Sequence, residues 1–128
     1  MILLDHNIPK GQVESLRRAR LRPQQIGREV GRPEWQDLEE ILRYLHRLKA
    51  ATFITRDEGF FLRRLCHSNY CIVIVGGPVA ETAGYIRRFL RHTAFRTKRQ
   101  RSGKVVRLLP TRIVWWGIRA KLQQRLLW

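Results

Sequence analysis

Apolar and polar positions in this chain follow two alternating periods. Short apolar runs stand at Met1–Leu4, Thr52–Thr55 and Cys71–Val75, the last reading Cys-Ile-Val-Ile-Val. A run that is apolar at successive positions suits a strand buried on both faces, as inside a parallel sheet. Between these runs the period lengthens. Val13, Leu16 and Ala19 recur at helical spacing within residues 12–20. Trp35, Leu38, Ile41, Leu42, Leu45 and Leu48 mark one face of a helix from about Pro33 to Lys49, with proline where a helix start favours it. Ala80, Ala83, Ile86, Phe89 and Leu90 predict a third helix from Val79 to about Phe95. Pro23–Ile26 gives a weaker strand signal, and Gly59–Leu65 reads as a short helix or turn. Strands alternating with helices indicate an α/β fold with a mainly parallel sheet flanked by helices.

The pattern changes after Phe95. Residues 96–104 are polar and basic, and Ser102-Gly103 suits a turn. Val105–Leu109 and Arg112–Trp116 are β-type runs split by Pro110-Thr111, which predicts a hairpin or edge strands. Ala120–Trp128 reads as a short terminal helix. No repeat interrupts this order, so residues 1–128 are expected to form one domain. About 1–95 would be the α/β core, and 96–128 a basic arm with a C-terminal β-type extension and the terminal helix.

Charge adds a partner class. The chain has 26 Lys and Arg against 10 Asp and Glu, a net +16. Such an excess points to nucleic acid, an anionic membrane surface or an acidic protein. No apolar stretch approaches the roughly 18 residues that span a bilayer. Asp5 breaks the first apolar run too early for a secretory signal. A cytoplasmic protein without membrane contact is expected. Two cysteines, Cys66 and Cys71, are too few for a disulfide scaffold and fit no zinc spacing.

With acids this scarce, their positions matter. Asp5 follows the first apolar run and Asp57 follows the run at 52–55. In open α/β sheets ligands bind beyond the carboxyl ends of the strands, where strand order reverses. Two carboxylates meeting there make a hard oxygen site for Mg²⁺ or Mn²⁺. The alternative is that each aspartate caps the turn or helix that follows it. Arg87, Arg88, Arg91, Arg96, Lys98, Arg99, Arg101 and Lys104 form a basic segment suited to phosphates, or else a solvated surface. Phe95, Trp115 and Trp116 are candidates for stacking on unpaired bases. Adjacent tryptophans on a strand alternate faces, so one is expected in the core. The exposed one would serve RNA, a homodimer or another protein contact.

These motifs carry a family resemblance. Leu3-Leu4-Asp5-His6-Asn7-Ile8-Pro9 resembles the Leu-Leu-Asp-Glu-Asn-Leu-Pro opening of small PIN-like nucleases. Ile54-Thr55-Arg56-Asp57-Glu58-Gly59-Phe60 is similar to their Thr-x-Asp-x-Asp-Phe element, and Asp37-Leu38-Glu39-Glu40-Ile41-Leu42 to the acidic start of their middle helix. The resemblance covers about Met1 to Leu109. It implies a metal-dependent endoribonuclease, often the toxin of a VapC-type pair with an acidic antitoxin as partner. It implies Mg²⁺ or Mn²⁺ on Asp5, Asp57 and Asp37, with Glu39 or Glu40 in place of Asp37 if the helix register shifts. Glu58 is a further metal candidate, and His6, Asn7, Thr55 and Glu40 are auxiliary candidates. Arg91, Arg96, Lys98, Arg99, Arg101 and Lys104 would hold RNA. Two departures stand out: His6 replaces the usual Glu, and Gly59 replaces the second Asp. The rival reading is a PIN-like protein that binds nucleic acid with weak or no catalysis.

Overall fold

The computed structural model describes residues 1–33, 35 and 38–128. Among the described residues seven strands form one sheet: β1 (Ile2–Leu4), β2 (Gln24–Gln25), β3 (Ala51–Thr55), β4 (Tyr70–Val75), β5 (Lys104–Leu108), β6 (Arg112–Gly117) and β7 (Gln124–Leu127). Their spatial order is β2-β1-β3-β4-β5-β6-β7. The first five are parallel, and β6 and β7 add antiparallel. The helices are α1 (Lys10–Arg18), α2 (Leu38–Arg47), α3 (Thr82–Arg91) and the short α4 (Lys98–Arg101).

Side-chain alternation sorts the core into two layers. Leu4, Ile54, Val73 and Val75 point to the face covered by Val13 and Leu16 of α1 and by Ile86 and Phe89 of α3. Leu3, Phe53, Ile72 and Ile74 point to the other face, against Ile41 and Leu45 of α2. The period of two along a strand produces this split. With helices over both faces, β3 and β4 are buried at every position, which is why their sequence runs look continuously apolar.

The C-terminal segment departs from expectation. Residues 124–127 form a strand paired with β6 rather than part of a terminal helix. Leu126 packs on the core while Leu127 is exposed. That alternation is a strand's, and the open edge of β6 supplies its backbone partners. The segment at 58–65 folds as two short 3-10 turns, Glu58–Phe60 and Arg63–Leu65. Cys71 is fully buried, and burial pushes its thiol up to about 12, so it acts as a small apolar side chain. Among the described residues, no helix is long and apolar enough to cross a membrane.

Candidate active site

The strand order reverses at β1. The chain leaves β1 for β2 on one side and returns to β3 on the other. The crevice therefore opens beyond the carboxyl ends of β1 and β3. Asp5 and Thr55 occupy those two ends.

Asp5 is 2% exposed. Its Oδ1 accepts from the His6 backbone N–H at 2.8 Å, and His6 Nδ1 stands 2.8 Å from the same oxygen. Its Oδ2 accepts from the Thr55 hydroxyl at 2.7 Å. Among the described residues no Lys or Arg forms an ion pair with it. Burying a carboxylate without such a partner is costly unless hydrogen bonds compensate. A chain this rich in arginine thus keeps a desolvated carboxylate at the sheet's ligand-binding end.

Thr55 ties the site together. Its hydroxyl donates to Asp5 and accepts from Asn7 Nδ2 at 3.1 Å and from the Asp57 backbone N–H at 3.0 Å. That uses the full capacity of one hydroxyl. Asn7 also accepts from the Arg56 backbone N–H at 3.2 Å. Both ends of its amide thereby help join β1 to β3. Replacing Thr55 with Val keeps the shape and strands three partners. The expected result is a loss of about 2 kcal/mol in a urea melt and a fall of about 10–100-fold in any metal-dependent activity. Thr55→Ser should restore most of both.

Asp57 lies on the exposed side of this knot. Its Oδ1 accepts from the Gly59 N–H at 2.9 Å and caps the 3-10 turn. The capping alternative is therefore realised at Asp57, and its Oδ2 takes no hydrogen bond from a described residue. Glu58 turns elsewhere: its Oε2 lies 3.1 Å from Arg107 Nε, an ion pair lacking hydrogen-bond alignment. Glu40 lines a separate cleft with Arg32, Trp35 and Arg43, and Glu39 is exposed on α2. Asp37 lies outside the described residues. Among the described residues no group of three or more Asp, Glu, His or Cys is placed to hold a metal.

Asp5 and Asp57 are the carboxylates that could take a hard cation beside Thr55. A carboxylate has about four acceptor positions, so Asp5 keeps capacity beyond its protein contacts, and Asp57 adds its second oxygen. Mg²⁺ commonly needs only one or two carboxylates and keeps several waters.

Beside Asp5 lies an open cleft of about 350 Å³, with His6, Lys10, Gln25, Ile26, Arg28 and Pro33 among its walls. Lys10 and Arg28 are cations that the motifs alone do not single out. Gln25 gives no motif signal either: it is buried and donates to the carbonyls of Asp5 at 3.1 Å and Ile8 at 3.0 Å, fixing the loop behind the carboxylate. Arg56 is a brace. Its guanidinium donates to Gly77 O at 2.7 Å and Thr82 Oγ1 at 3.0 Å. Gly77 has φ +74, and a Cβ there would meet the Tyr85 ring at 2.8 Å, so only glycine fits this turn.

The basic arm is not beside the acids. Arg101 donates to Thr52 Oγ1 near the start of β3, and Gly103 N–H donates to Tyr70 O at the start of β4. This is the opposite, amino-terminal end of the strands, roughly 10 Å away along β3 from Thr52 to Thr55. Nor is the arm a free tail, since Thr97 and Gln100 form a capping box on α4. Arg101 itself is 6% exposed, with a second bond from Nη1 to Phe95 O at 3.0 Å. It is a core residue, not a phosphate contact. Lys104 is half-buried and bonds to Gln100 O. Arg96, Lys98 and Arg99 are exposed there, and Arg91 is exposed on α3. Phe95 is buried under Phe89 and Trp115, so it is not available for base stacking. Trp115 and Trp116 are both half-buried rather than one in and one out.

No family model, curated protein or solved structure matches this chain.

Proposed function

We propose that this chain is a divalent-metal-dependent endoribonuclease of PIN-like architecture, working in the cytoplasm as the toxin of a pair with an acidic antitoxin. The observation that carries the reading is the buried Asp5 carboxylate at the strand-order reversal, fixed by the hydroxyl that also binds the Asp57 backbone. Asp5 and Asp57 would hold Mg²⁺ or Mn²⁺. The chemistry supplied by a bound ion is stabilisation of charge on the phosphoryl group and activation of water for attack.

The chain's own residues do the rest. Thr55 holds Asp5 in one orientation. His6 Nδ1 lies 2.8 Å from Asp5 Oδ1, and Nε2 would be the ring nitrogen that serves the reacting oxygens. His6 keeps 37% side-chain exposure, so this nitrogen has access to a substrate. Lys10 and Arg28 in the adjoining cleft offset the repulsion between carboxylates and phosphate.

A second reading is a nucleic-acid-binding protein without catalysis. It is favoured by Gly59 at an expected acid and by Glu58 turned toward Arg107. An assay with mixed single-stranded RNAs separates the two. The nuclease reading expects cleavage with Mn²⁺ or Mg²⁺ that stops with EDTA. RNA that is bound yet remains intact under every metal condition would select the second reading.

A further inference from the structure

The structure removes the basic arm from the acidic end of the sheet and leaves open what leads a polyanion to the site. The outer face of α3 answers this. Gly84, Arg87, Arg88 and Arg91 fall at i, i+3, i+4 and i+7, so they share one side of the helix. With His92 and Thr93 they line an open groove of about 600 Å³ that has no acidic residue in its wall among the described residues. Gly84 leaves its floor clear: a Cβ there would meet nothing within 4 Å.

The arginines are held but not neutralised. None of the three forms an ion pair with a described carboxylate. Arg88 lies over the Trp128 ring at 4.4 Å, which orders its side chain while leaving its charge. Trp128 is anchored in turn by its Nε1 donating to Leu109 O at 2.7 Å. Arg87 Nε is buried and meets no acceptor among the described residues, a donor lacking its partner.

The helix also points the right way. Its first residue, Thr82, accepts from Arg56, the neighbour of Asp57. From there α3 runs back toward the opposite end of the strands. Arg87 and Arg91 lie roughly 8 and 14 Å along the axis from that contact. We propose that the Arg87–Arg88–Arg91 face of α3 is a track for the sugar-phosphate backbone of single-stranded RNA, leading to the Asp5 end of the sheet. As the substrate's path it rests on the nuclease reading; as a binding surface it stands without it. Contacts of this kind act on phosphates and carry no base sequence.

The test measures binding in EDTA, where cleavage plays no part. Fluorescence anisotropy follows a labelled 20-nucleotide oligouridine across a salt series. Arg87→Ala/Arg91→Ala is compared with Arg96→Ala/Arg99→Ala, which removes the same charge from the arm. The track predicts at least a ~10-fold loss of affinity for the α3 double variant, and a salt slope flatter by about 0.7 for each phosphate left unneutralised. The arm variant should change affinity less than threefold. Arg91→Glu, a substitution at an exposed position, carries the same test if the double variant misfolds. An unchanged slope in the α3 variants, or an equal loss in the arm variant, overturns the track. An α3 face that binds an acidic protein and not RNA would also leave the slope unchanged, and it overturns the track in the same way. If the α3 variants lose binding while the wild type never cleaves, the nuclease reading fails and the track stands. Cleavage with unaffected binding gives the reverse.

Discussion

Asp5→Asn is expected to abolish metal-dependent RNA cleavage while leaving the chain folded. The amide keeps the side chain's shape, and its oxygen can go on accepting from Thr55. Its NH₂ then faces the His6 N–H where Oδ1 accepted before. One hydrogen bond to a buried charged acceptor is lost, a cost of about 1.5–3 kcal/mol in a urea melt. The functional cost is larger because the negative charge that would hold the cation is gone. Loss of a supporting partner typically lowers metal affinity or activity by about 10–100-fold, and loss of a ligand should exceed about 100-fold. Asp57→Asn should show a smaller defect in stability, since Asp57 is exposed and its amide can still cap the turn through its oxygen. Asn variants that cut at the wild-type rate would place the chemistry elsewhere.

Arg101→Ala is expected to give the largest loss of stability among the basic positions, about 3 kcal/mol, while the folded protein binds RNA as before. Two opposing effects set the size. The guanidinium is desolvated with no carboxylate partner among the described residues, and burial holds its pKa below the usual arginine range. Removing it relieves that cost. Removal also strands the buried Thr52 hydroxyl and the Phe95 carbonyl, each bonded to a charged donor worth about 1.5–3 kcal/mol, and leaves a gap among packed residues. Loss should therefore win. Thermal or urea unfolding of Arg101→Ala beside Arg99→Ala measures it. Similar stabilities, with RNA affinity lost only in the Arg101 variant, would return Arg101 to the surface role its sequence context suggests.

Arg101 shows where sequence stops being legible. The strands β1, β3 and β4 and the three longer helices can be read from their periods, because burial on two faces or one stripe dictates residue type position by position. Asp5 and Asp57 can be read from their place after apolar runs. A basic tetrapeptide cannot reveal that one of its arginines turns inward, since that depends on a hydroxyl at residue 52 reached only by folding. The end of the sheet that holds the arm is likewise a matter of topology: α3 carries the chain from the Asp5 end to the far one before β5 begins. Strand β7 was hidden for a related reason. Gln124–Leu127 has no strong period of its own and becomes a strand because β6 offers an open edge. Gln25, with its two bonds behind Asp5, gives no local signal at all.

Asp5, steadied by Thr55, is proposed to support a divalent-cation site at the strand-order reversal. Mn²⁺ titration followed by electron paramagnetic resonance or calorimetry tests it without RNA. The expected result is one Mn²⁺ site per wild-type chain, removed by EDTA, strongly weakened in Thr55→Val and absent in Asp5→Asn. Wild type that binds no Mn²⁺, or Asp5→Asn that binds it as well as wild type, would contradict it.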